Sequence, residues 1–73
     1  MKNQIKEIIK NTFKLNSVND NISQANCSKW DSLNHLNLTY ELETHFDISL
    51  EPDEILKMKN LEDIVVIMEQ KLN

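Results

Sequence analysis

The sequence predicts an all-α protein, a four-helix bundle with one short member. Three observations predict it. Apolar residues recur at three- and four-residue spacing in separate blocks. Helix formers dominate the composition. Glycine is absent and Pro52 is the only proline, whereas a β-rich fold needs many turns with positive φ. The 73 residues make one domain, spanning 1–73. A chain this short buries only roughly 60% of its unfolded surface, which leaves little room for an enclosed active site.

The first helix is expected over residues 2–14. Ile5, Ile8, Ile9 and Phe13 share one face, with Lys2, Lys6, Lys10 and Lys14 largely on the other. Leu15 to Asp31 reads as a long loop rich in Asn and Ser. A loop of this length in a small domain packs or functions, and Ile22, Ala25 and Trp30 are the residues that would pin it. The second helix runs from Ser32 to about Phe46. A helical wheel puts Leu36, Thr39, Leu42 and Phe46 at the centre of its buried stripe, with Asn34, Glu41 and His45 opposite. A third stripe, Leu33, Asn37, Tyr40 and Thr44, borders Ser32.

Residues 47–52 form a connection anchored by Ile48 and Leu50. Pro52 suits the first position of a short third helix ending near Met58, and Asp53 and Glu54 favour its start. Asn60 caps the last helix, with Glu62 and Asp63 in its first turn. Leu61, Ile64, Val65, Met68 and Leu72 supply its apolar face, with Ile67 beside it.

Trp30-Asp31-Ser32-Leu33 stands where the loop becomes the second helix. Asp31 is at the N-cap, where its carboxylate accepts from free backbone N–H groups. Ser32 falls at the first helical position, so a phosphodiester on its hydroxyl would sit at the positive end of the helix dipole. Asp31-Ser32-Leu33 resembles the modification motif of the acyl and peptidyl carrier protein family. Pro52-Asp53-Glu54, the short apolar segment after it and the final amphipathic helix extend the resemblance over essentially the whole chain. It implies that Ser32 carries a 4′-phosphopantetheine arm, derived from coenzyme A, and that an acyl or aminoacyl intermediate is held on it as a thioester. The implied partners are a phosphopantetheinyl transferase, an acyl- or aminoacyl-activating ligase and downstream acyl-transferring enzymes. The partner-binding positions are Asp31, Leu33, Asn37, Tyr40 and Glu43. Leu33 reads as a docking residue, Tyr40 equally as docking or as an edge of the core.

The chain departs from the housekeeping fatty-acid carriers of that family. They have a small pair before Asp-Ser-Leu, where this chain has Lys29-Trp30. They also concentrate acidic residues just after the serine, where this chain has Asn34 and Asn37. Glu41, Glu43 and Asp47 shift the charge toward the helix end. Trp-Asp-Ser-Leu-Asn-His-Leu is more similar to specialised stand-alone carriers.

Composition narrows the alternatives. Net charge is −4, with eight Lys and no Arg, and Ser32 to Phe46 holds no Lys or Arg. No helix here reads as a DNA-recognition helix, and nucleic acid is not an expected partner. The lone Cys27 excludes an internal disulfide and a CxxC metal site. No apolar run reaches the ~18 residues of a membrane span. A soluble cytoplasmic monomer is expected, with no signal peptide at its start. The Asn-x-Ser/Thr matches at Asn21, Asn26 and Asn37 follow from an Asn-rich composition. His35 and His45 are too far apart to form a ligand pair. Asp31, Ser32 and His35 do not make a catalytic triad, because near neighbours on a helix point apart. Glu51, Asp53 and Glu54 read as a helix start rather than a metal site. No metal and no catalysis are expected. The alternative to a carrier is a non-covalent helical interaction or adaptor module, and the two differ at Ser32.

Overall fold

The computed structural model describes all residues, 1–73. Four helices follow in order: α1 (Lys2–Phe13), α2 (Ser32–Phe46), α3 (Pro52–Lys57) and α4 (Leu61–Leu72). There are no strands, only one isolated antiparallel bridge between Ser23 and Asn60. The expected four-helix bundle with one short member is the fold observed. No helix is long and apolar enough to cross a membrane.

The helices close on one core of 14 buried residues, drawn from α1, α2, α4 and the loops between, with half-buried Ile55 of α3 packed against it. α1 contributes Ile5, Ile8, Ile9 and Phe13, the face its spacing predicts. It ends one residue earlier than expected. Lys14 turns into the left-handed region, and its N–H closes the helix on the Lys10 carbonyl. Asp47 ends α2 in the same way. With no glycine in the chain, both left-handed caps are built from residues that pay a steric cost for them.

The loop from Lys14 to Asp31 is irregular but packed. Ile22 and Trp30 are buried as expected; Ala25 is exposed. Asparagine gives the loop its order. Asn26 accepts the Ser23 N–H through Oδ1 and donates from Nδ2 to the Asn21 carbonyl, both at 2.9 Å. The Ser23–Asn60 bridge then ties the loop to the start of α4, with Gln24 N–H to Lys59 O at 2.9 Å and Leu61 N–H to Ile22 O at 3.1 Å. On the other side, Asp20 holds Lys6 at 2.7 Å and Lys2 at 3.0 Å.

The wheel for α2 was phased wrongly. Leu38, Thr39 and Leu42 are buried, Phe46 is half-buried, and Leu36 is exposed. At about 100° per residue, the true buried face lies roughly 40° from the expected one. The cause is compositional. Leu33, Leu36 and Tyr40 stay exposed on the outer rim, so apolar residues occur on nearly every side of α2 and pull the apparent centre outward. On α4, Leu61, Ile64, Ile67 and Met68 are buried, whereas Leu72, the last helical residue, is exposed.

Candidate functional site at the start of α2

Asp31 is extended, and its Oδ1 accepts the Asn34 N–H at 2.8 Å. That bond fixes where α2 begins. Asn34 returns the favour by donating from Nδ2 to the Lys29 carbonyl at 2.8 Å. The loop and the first turn of α2 are thus cross-linked on both sides of Ser32. Ser32 itself is exposed at the first helical position. Its hydroxyl takes no part in these bonds and is open to solvent.

The loop is anchored from beneath by Trp30, which is only 4% exposed. Its indole packs on Phe13 of α1, with ring centroids 5.5 Å apart. It also stacks on the His35 ring at 6.2 Å and donates its N–H to His35 Nδ1 at 2.9 Å. The other nitrogen of His35 lies 2.8 Å from the Ile55 carbonyl of α3. His35 therefore joins three elements and is half-buried, a role that its spacing from Ser32 did not reveal.

Exposed apolar side chains follow Ser32 along α2, beside exposed Asp31 and Asn37. Leu33 is 69% exposed, Leu36 58% and Tyr40 64%. Leu56, beside the His35–Ile55 junction in sequence, is 74% exposed on α3. The expected rim of Leu33, Asn37, Tyr40 and Thr44 is exposed throughout. Leu36 extends it, and neither its exposure nor that of Leu56 was anticipated. Leu36 is four residues from both Ser32 and Tyr40, a spacing that puts all three on neighbouring turns. Glu43 stands apart. It is half-buried, and its carboxylate accepts the Leu50 N–H at 2.8 Å, which closes the α2–α3 connection.

Glu54 of α3 is occupied within the fold. Glu54 Oε1 accepts the Glu51 N–H at 2.7 Å and meets Lys71 of α4 at 2.9 Å. Those two contacts, the backbone one first, hold the Glu54 carboxyl below its ordinary value of 4.5.

Fold and site together define a class: a small helical domain that presents one serine hydroxyl at the head of a long helix, with exposed apolar side chains following it. No family model matches the chain. A stretch of 41 residues is 44% identical to a protein of Mycoplasmopsis pulmonis named an acyl carrier protein homolog; the match covers 56% of this chain and 56% of that protein. The solution structure of holo acyl carrier protein from Geobacter metallireducens is similar over 97% of this chain and 84% of that one, with a TM-score of 0.87 and 30% identity. The chain belongs to the acyl carrier protein family, whose members are carriers and not enzymes.

Proposed function

We propose that the 73 residues form one carrier domain that holds an acyl or aminoacyl intermediate as a thioester on 4′-phosphopantetheine attached to Ser32. The observation that carries this reading is the exposed Ser32 hydroxyl at the first position of α2, fixed by the Asp31 cap. The free N–H groups of the first turn favour the phosphodiester's negative charge. Kinship with a holo acyl carrier protein supports the same cofactor.

The chain's own residues would position the arm and present a surface; the thioester chemistry resides in the arm and in the partner enzymes. Asp31 lies beside Ser32, where a phosphopantetheinyl transferase would read its charge. Leu33, Leu36 and Tyr40 offer apolar anchors of the kind that carry most binding energy. Asn37 and Glu43 complete the proposed surface, Glu43 with a carboxylate that also holds the connection to α3. With Asn34 and Asn37 in place of acidic residues, the stretch of α2 from Leu33 to Tyr40 carries no Asp, Glu, Lys or Arg. This favours a dedicated acyl- or aminoacyl-activating ligase over enzymes that dock on acidic helices.

Incubation with coenzyme A and a broad-specificity phosphopantetheinyl transferase tests the site. Intact mass should show one phosphopantetheine per chain, and none on Ser32→Ala. An arm on Ser17, Ser23, Ser28 or Ser49 would overturn the assignment, and a chain left unmodified would favour the adaptor reading.

A further inference from the structure

The geometry points to His35 as a pH-dependent latch that positions α3 against the Ser32 end of α2. The bonding pattern fixes its state. An indole N–H only donates, so Nδ1 of His35 accepts from Trp30 and bears no proton. The ring proton therefore sits on Nε2, which donates to the Ile55 carbonyl. Both bonds are satisfied at once only by the neutral imidazole. Adding a proton at Nδ1 sets an N–H against the Trp30 N–H, and one of the two groups must turn away.

The location gives the bond its reach. Trp30 is buried against Phe13 and has no room to move, so the displaced partner is the half-buried His35. Its departure leaves Ile55 without the side-chain donor at the end of a helix only six residues long. α3 has no fully buried residue of its own; half-buried Ile55 against the core and the Glu54–Lys71 pair are the other contacts that hold it. The charged groups on the elements that meet at the ring are Asp20, Lys29 and Asp31 in the loop, Glu41, Glu43 and His45 further along α2, and Asp53, Glu54 and Lys57 on α3. None forms an ion pair or hydrogen bond with it. Asp31 caps Asn34, and Glu54 is taken by Lys71 and the Glu51 N–H. The latch holds when the ring is neutral and loosens when the ring takes up a second proton. The relative positions of Leu36 and Leu56, the exposed leucines that follow His35 and Ile55, change with it. This inference concerns the unmodified chain and does not depend on the carrier reading.

Trp30 is the only tryptophan, which makes it a clean reporter. In the unmodified full chain, its indole N–H resonance and the amides of Ile55 to Met58 should shift together between pH 8 and 5, with one midpoint. His35→Gln should abolish that shared titration, and His45→Gln should leave it intact. Nitrogen-15 shifts of the His35 ring should show the Nε2–H form at pH 8. This last measurement uses the wild-type chain and decides the matter even where His35→Gln does not fold. An Nδ1–H ring, an indole signal that ignores pH, or a titration that survives His35→Gln would each overturn the latch.

Discussion

Asp31 Oδ1 accepts the backbone N–H of Asn34 at 2.8 Å, and the first helical residue after that cap is Ser32. The same hydrogen bond that starts the helix orients the serine. Asp31→Ala removes it. Loss of an N-cap of this kind costs about 1 kcal/mol. Thermal or urea unfolding should record that loss, and Asp31→Asn should recover most of it, because an amide oxygen also caps. Equal stability of the alanine and wild-type chains would show that the cap contributes nothing.

Burial separates three apolar positions on α2. Leu42 is fully buried, Phe46 is half-buried and Leu36 is exposed. Leu42→Ala should cost about 2–5 kcal/mol. A domain this small holds only about 3–5 kcal/mol in total, so the variant should be largely unfolded by circular dichroism. Phe46→Ala should cost less, and Leu36→Ala should melt within about 0.5 kcal/mol of wild type. An order with Leu36→Ala as the most damaging would restore the wheel drawn from sequence.

Asp20 gives a pH-dependent prediction. Hydrogen bonding to Lys6, then to Lys2, holds its carboxyl below the ordinary value of 3.8. A depressed value in the folded state means that the contribution is present above 3.8 and lost as pH falls through the lower, folded value. Asp20→Asn should therefore lower the Tm slightly at pH 7, and the difference should close in strong acid. High salt should narrow it too, because the pair is exposed. A gap that persists unchanged in acid would trace to the loop rather than to the charges.

Lys14 occupies the left-handed region with φ 57°. The steric cost there is roughly 1–2 kcal/mol for a residue with a Cβ, set against the greater freedom glycine has when unfolded. Lys14→Gly should stabilise the chain by about 0.5–1 kcal/mol net. A denaturation midpoint that moves downward would show that the Lys14 side chain contributes more than its backbone costs.

Docking is separable from folding at Leu33, which is 69% exposed. Leu33→Ala should leave the Tm nearly unchanged and weaken loading by a dedicated ligase. Asn37→Glu should improve use of the holo form by fatty-acid synthase enzymes. Asn34 is a poor position for the same swap, since an aspartate there would set a carboxylate against the Lys29 carbonyl. Wild-type chain used by those enzymes as well as their own carrier would count against the specialised reading and leave the family assignment standing.

The sequence by itself determined the helices and the place of Ser32. Capping residues act locally, so Asp31, Pro52 and Asn60 mark helix starts that need no tertiary information. The face of α1 was equally legible, because its lysines and isoleucines separate cleanly. Only the tertiary structure decided the face of α2. Its leucines serve both the core and the outer rim, and the choice of Leu38 over Leu36 depends on what packs against them. The ordering of the Asn-rich loop and the bond from Trp30 through His35 to Ile55 were likewise out of reach. These pairings join residues up to 20 positions apart, and a hydrogen bond across such a separation leaves no periodicity in the chain.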